Sequence, residues 1–445
     1  MAEITSNISL KQLERFEKQY HKDPLNAAVE KAVATVGIDQ AAQDHEVLKR
    51  HTFVFSHETK QGESTNQKKS GRCWYFASLN TLRQIVMEKL NVETFEFSET
   101  HLYFYDKLEK ANTYLEEIIR TADRDLIDRE VQLIMDATVY DGGFWEYFVP
   151  LCLKYGLVPK SEGPETFQSE DSYMMTKQMD LRLRHTAMKI RAAKAAGKSD
   201  AELRKIKDQA LADVYNIAVK ALGHPVKEFS FSYRDKDKNF HRMEKTTPLE
   251  FFEKVVGREE LEKRIVICCD PRKDKPVGRY IKIKNIRNVN ESTPAGGYNI
   301  PLEVYADCVL ASVKDGVPVW FACDVGKDID RKKGILDNEL FAYNTILPDT
   351  GEFDKEERFL CGYSSISHAM NITGVDLDEK GRPLTWRVEN SWGEENGKKG
   401  TFSMSHDWFL NYAFEAIIDK KYLPKKWHKG LSEEPLYLEP WDKMA

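Results

Sequence analysis

The hydrophobic period of this chain changes once, and no other feature of the sequence limits the fold as tightly. Before about Gly223 the apolar residues recur at three- and four-residue spacing, the period of a helix packed on one face. From Phe229 onward they fall into short runs: FSFSY, IVICCD, GRYIKIKNI, PLEVYADCVLASVKDG, PVWFACDV, HAMNITGVDL, TWRVENSW and GTFSMS. Glycine, proline or acidic turns separate these runs, and each reads as a strand. A chain so divided predicts an α+β architecture with segregated helices and strands. Its 445 residues exceed the roughly 250–300 at which single cores stop growing, so a core carrying insertions is expected.

Within the helical part, Leu10–Tyr20 and Asn26–Val36 are amphipathic and read as packing arms. The stretches 98–120 and 125–138 read as further helices, and DGGFWEYFVPLCLKYGLVPK as a glycine turn leading into another. Two long helices follow between Glu170 and Gly223, the second started by the capping box Ser199-Asp200-Ala201-Glu202. Between Lys177 and Lys198 the basic residues Lys177, Arg182, Arg184, Lys189, Arg191, Lys194 and Lys198 face a single acid, Asp180. That stretch reads either as a positive surface or as an ordinary solvated helix face.

Composition excludes several classes. A net charge of −6 argues against a protein whose main partner is nucleic acid. The N-terminus lacks the basic cluster and apolar run of a secretion signal, and no run of about 18 apolar residues occurs, so a soluble, cytoplasmic protein is expected. The odd number of cysteines, seven, then predicts reduced thiols, with Cys152, Cys268 and Cys269 as small buried hydrophobes. No CxxC pair or paired histidines stand at ligand spacing, so neither a metal nor a cofactor is expected.

One cysteine differs in setting. Cys73 ends the polar loop GESTNQKKSGR and opens the helical pattern Tyr75, Leu79, Leu82, Val86, Leu90. A helix N-terminus presents free N–H groups and partial positive charge, which stabilise a thiolate. Thiolate catalysis also needs an imidazole, a group to orient it and donors for the oxyanion. His368 heads a strand pattern, Asn390 ends the next, and Gln67 lies six residues before the cysteine. Gly71 would let the backbone approach a substrate closely.

Gln67, Ser70-Gly71-Arg72-Cys73-Trp74, Ser367-His368-Ala369 and Asn390-Ser391-Trp392-Gly393 together resemble the papain-type cysteine peptidases, in the same chain order. Ser98-Glu99-Thr100-His101-Leu102, Asp141-Gly142-Gly143, Pro318-Val319 and Gly397 to Phe402 are similar to further segments of that family. The interval from Cys73 to His368 is about twice the family's usual one, which implies a large insertion. The helical stretch and the Glu-Pro-Trp-Asp ending resemble the bleomycin hydrolase and bacterial aminopeptidase C branch.

That resemblance implies a papain-like core with a helical half and a β-barrel-like half. It divides the chain into an N-terminal arm (1–60), the helical half with the nucleophile (61–165), a helical insertion serving oligomerisation (166–260), the β-rich half with His368 and Asn390 (261–425), and a C-terminal arm entering the cleft (426–445). It implies Cys73, His368, Asn390 and Gln67 as catalytic residues, with Gly71, Gly142, Gly143, Trp392 and Ala445 contacting oligopeptide substrate. It further implies a homohexamer, and an aminopeptidase in which the carboxylate of Ala445 pairs with the substrate amine. Bacterial members typically continue past the Pro-Trp-Asp-Pro-Met segment, whereas Pro440-Trp441-Asp442-Lys443-Met444 is followed here by Ala445 alone, which leaves an oligopeptide endopeptidase as an alternative. Outside peptidases, acyl transfer usually orients its histidine with aspartate, and a nucleic-acid-binding ring lined by the Lys177–Lys198 helix, with secondary peptidase activity, is the reading from another class.

Overall fold

The computed structural model describes residues 6–445. Its organising element is the helix Cys73–Lys89, which carries Trp74, Tyr75, Phe76, Leu79, Leu82 and Val86 and is buried along most of its circumference. A helix apolar on so many sides belongs in the interior. On one side it packs against the helix Trp145–Tyr155, and nearby runs Glu99–Arg120, whose N-cap Ser98 accepts the His101 N–H. The hairpin of helices Tyr173–Ala195 and Asp200–Leu222 lies on Glu99–Arg120 through Met179, Leu183, Ala187, Ile190, Val214 and Ala218. The capping box at Ser199 forms as the sequence predicts.

The β-rich half is one large sheet. Its central strands run Arg264–Cys268, Ala413–Asp419, Val319–Cys323, His368–Leu377, Pro383–Glu389 and Thr401–Ser405, each antiparallel to the next. PLEVYADCVLASVKDG departs from the strand expected of it, since Leu302–Lys314 is a helix. Its buried residues Tyr305, Ala306, Cys308, Val309, Ser312 and Val313 repeat at three and four, a period hidden by the valines and by the strands on either side. At the far edge, Leu436–Leu438 of the C-terminal arm adds a parallel strand to Arg279–Ile283. The helices Leu10–Tyr20 and Leu25–Val36 bury no residue and leave Leu10, Leu13 and Phe16 exposed. No helix among the described residues is long and apolar enough to cross a membrane.

Helix and sheet meet along a polar seam inside the core. The Asn371 side chain donates to the Ala77 carbonyl at 2.9 Å and accepts from the Thr81 hydroxyl at 2.8 Å. The Trp320 indole N–H reaches the Trp74 carbonyl at 3.2 Å, and Arg83 pairs with Glu389, both fully buried. Removing one partner of such a pair strands a charge in the interior. We expect Glu389→Ala to cost about 3–5 kcal/mol in urea unfolding, and the double change Arg83→Met with Glu389→Leu to cost clearly less.

Candidate active site

The seam decides which residues meet. Asn371 lies opposite Glu389 in the sheet, so the end of one strand returns to the start of its neighbour and brings Asn390 beside His368. The Asn390 Oδ1 accepts the Ser391 backbone N–H at 2.8 Å and stands 2.9 Å from His368 Nε2. An amide oxygen can only accept, so Nε2 carries the hydrogen and Nδ1 is left as a free base. Trp392 covers the ring, with centroids 4.8 Å apart. Cys73, at the helix N-terminus, and His368 line one cleft of about 380 Å³ together with Gly142, Gly143 and Ala445.

Gln67 is held from both ends. Its Oε1 accepts from the Ser391 hydroxyl at 2.7 Å, its Nε2 donates to the Ser70 carbonyl at 2.6 Å, and its backbone N–H reaches the Ser391 carbonyl. One amide hydrogen remains. Ser391 thus ties Gln67 to Asn390, a link that no spacing in the sequence reveals.

Gly71, exposed just before the Cys73–Lys89 helix begins, is packed on Asp141. Its N–H donates to Asp141 Oδ2 at 3.0 Å, a Cβ there would meet the Asp141 Cβ at 2.8 Å, and it does not line the cleft. Packing on Asp141 accounts for its small size. Gly143 is small for a similar reason, since a Cβ would meet the Trp74 ring at 2.6 Å. Trp392 stands over His368 and lines an adjoining groove, outside the cleft proper.

Several positioning residues escaped the sequence reading. Asp141 also accepts from Tyr103 (2.7 Å), Lys107 (2.6 Å) and Ser172 (2.5 Å). The Lys107 ammonium beside it holds this carboxyl well below the usual range despite its burial. Lys107 further donates to the Val139 carbonyl, and Lys110 to those of Tyr140 and Gly142 at 2.8 and 2.7 Å. Two buried ammonium groups therefore fix the loop that forms one wall of the cleft. Arg72, fully buried before the cysteine, forks onto Glu165, donates to the Ser169 carbonyl at 2.7 Å and lies between the rings of Phe76 and Tyr103. Arg72 and Asp141 stand in segments that resemble the papain-type peptidases, and Lys110 lies four residues after its partner Asp106; a periodicity argument otherwise assigns lysine and arginine to the surface.

Burial pushes the Cys73 thiol up, against the pull of nearby backbone amides, and the Asp141 carboxylate adds to the rise. Burial likewise lowers His368 to about 4, opposed by its bond to Asn390 and assisted by the Arg331 charge. Taken singly, each group is held neutral. No group of three or more His, Cys, Asp or Glu side chains able to hold a metal occurs among the described residues.

A cysteine at a helix N-terminus, sharing a cleft with a histidine whose far nitrogen is held by an amide, defines a cysteine peptidase. The Peptidase C1-like family profile matches residues 7–445, and the chain belongs to that family. It is 37% identical to Aminopeptidase G of Lactobacillus delbrueckii subsp. lactis over 442 residues, 99% of this chain and 100% of the relative. It is 38% identical to Aminopeptidase C of Listeria innocua serovar 6a over 445 residues, 99% of each. The crystal structure of pepW from Lactobacillus rhamnosis HN001 superposes with a TM-score of 0.97 at 36% identity, covering 99% of both chains. The papain-like fold expected from the motifs is thereby shown.

The buried histidine makes stability pH-dependent. With its folded value lowered to about 4, His368 takes up a proton in the unfolded chain first, so stability falls as pH drops from about 6.5 toward 4. His101, lowered to about 4 by burial, adds in the same direction. Going from pH 7 to pH 5 should cost about 2 kcal/mol for each histidine. Urea midpoints of His368→Gln should therefore shift less over this interval than those of the natural protein.

Proposed function

We propose that the chain is an aminopeptidase that hydrolyses oligopeptides through a Cys73–His368–Asn390 triad. The observation that carries this reading is the position of the C-terminal arm. Ala445 lines the cleft shared by Cys73 and His368. The arm is held there by Arg272, which forks onto Asp442 at 2.8 Å, by Arg129 over the Trp441 ring, and by Met444, buried against Ile283, Phe359 and Phe414. An arm that fills part of the cleft limits how much substrate precedes the scissile bond, which suits release of the N-terminal residue.

Cys73 passes its proton to His368 Nδ1, and the two opposite charges arise together, so each supplies the counter-ion the other lacks. The helix N-terminus favours the thiolate. Sulfur attacks the carbonyl carbon, and the oxyanion is held by the Cys73 N–H and the free hydrogen of Gln67 Nε2. His368 returns the proton to the leaving amine as the C–N bond breaks. Water, deprotonated by His368, then hydrolyses the thioester and frees Cys73.

The same reading places the enzyme in the cytoplasm as a homohexamer. In support, all seven cysteines are unpaired, and the exposed Leu10, Leu13 and Phe16 offer apolar surface for another copy. Of the basic helix, Arg184, Arg191, Lys194 and Lys198 are engaged with partners inside the protein, which favours its reading as a solvated face.

A defined peptide supplied with a free or an acetylated N-terminus tests the assignment. The free amine should be cleaved much faster, one residue at a time, and Arg272→Ala should raise cleavage of the acetylated peptide. Equal rates in the natural protein would leave the oligopeptide endopeptidase. Cys73→Ala should abolish turnover, and Gln67→Ala should lower kcat by about 10²–10³-fold. Light scattering should give about six times the 51.5 kDa monomer mass.

A further inference from the structure

The sheet places a buried carboxyl group beside the cleft. Glu415 lies directly opposite Ala322, which lines the cleft, in an antiparallel pair of strands. Residues so paired project to the same face with Cβ atoms about 4.5–5.5 Å apart, so the Glu415 side chain points to the side on which Ala322 meets the cleft. Glu415 is only 4% exposed, yet its carboxyl group has neither hydrogen bond nor ion pair among the described residues; its backbone carbonyl alone is engaged, by the Tyr305 hydroxyl. A polar group is costly to bury without a partner. The catalytic steps make no use of it.

The charges nearby do not match it. Around Glu415 stand Glu146 from the helix Trp145–Tyr155, Cys268 and Cys269 on a neighbouring strand, and Tyr305, none of them a cation. Lys355 reaches Cys269 but is engaged by the carbonyls of Leu410 and Ala413 at 2.9 and 2.6 Å. Glu146 accepts the Gly296 N–H at 2.8 Å and has Lys282 as its counter-charge, so of the two carboxyl groups Glu415 is the one that no cation reaches. Burial and the Glu146 charge push it up to about 8, and it holds a proton until a positive group comes.

Its place along the cleft is also fixed. Ile286 and Ile366, in the cleft wall, pack on the cluster of Cys268, Phe359, Phe414 and Met444 that seats the C-terminal arm. This wall lies on the arm's side of Cys73, where the residue preceding the scissile bond sits. Phe144, Ala322, Ile286 and Ile366 suit a long methylene stem, and the carboxyl group beyond them suits a cation at its tip.

Resting on the aminopeptidase reading, we propose that Glu415 receives the cationic end of the substrate's N-terminal side chain, and that peptides beginning with lysine or arginine are the preferred substrates. The carboxyl group gives up its proton to solvent as the cation arrives, and a charge-assisted pair replaces an unpartnered group.

The test uses the full-length protein and compares Lys-Ala-Ala with norleucine-Ala-Ala, which lacks only the ammonium, and Arg-Ala-Ala with citrulline-Ala-Ala. In at least one pair the natural enzyme should favour the cationic residue at least about tenfold in kcat/KM, chiefly through KM. Glutamine is close to a protonated glutamate in shape, so Glu415→Gln tests the charge and not the packing; it should bring the ratio close to one, and Glu415→Asp should restore part of it. Ratios near one in both pairs, or a preference unchanged in Glu415→Gln whatever happens to the absolute rates, overturn the proposal while leaving the aminopeptidase reading intact. Failure to cleave any of the four peptides, with ready cleavage of an N-acetylated tetrapeptide, overturns both. Ratios near one in the natural enzyme are decisive even if neither variant folds.

Discussion

Everything in the site rests on the seam where the Cys73–Lys89 helix meets the sheet. Across it Asn371 bonds Thr81 and the Ala77 carbonyl, Trp320 bonds the Trp74 carbonyl, and Arg83 pairs with Glu389. Buried polar groups are costly unless matched, so they admit few alternative alignments where an apolar interface would tolerate sliding. Because Glu389 precedes Asn390 and Asn371 follows His368 by three positions, the bonds that fix the register of helix on sheet also fix where Cys73, His368 and Asn390 stand.

The site is built in an environment hostile to charge. Burial alone favours a neutral thiol and a neutral imidazole, with His368 lowered to about 4. The helix N-terminus, the Asn390 carbonyl oxygen and the single free hydrogen of Gln67 are the polar features set against that burial. They are preorganised, so their orientation need not be established during the reaction.

The parts of this arrangement that could be read from sequence are those whose chemistry is tied to local context. Cys73 announces itself by opening a helix after a polar loop, and His368 and Asn390 by closing opposite ends of two strand patterns joined by a turn. The helix Leu302–Lys314 was hidden because its valines suit a strand as well, and only the layer packed on the sheet decides between the two periods. Arg72, Lys107, Lys110 and Asp141 were hidden for another reason. A charged residue is buried only when its partners are in place, and those of Asp141 come from three separate segments of the chain.

Asp141 and Arg72 reach Ser172, Glu165 and Ser169, which lie where the long helical hairpin departs from the core. The hairpin is therefore not a detachable ornament on a smaller peptidase. Excising it together with its root would remove at one stroke the counter-ion of the residue preceding Cys73 and a hydroxyl that steadies the wall of the cleft. A lineage could shed the hairpin only by replacing both supports in the same step, whereas its exposed tip at Gly197, with nothing near its Cβ position, is free to lengthen or vary.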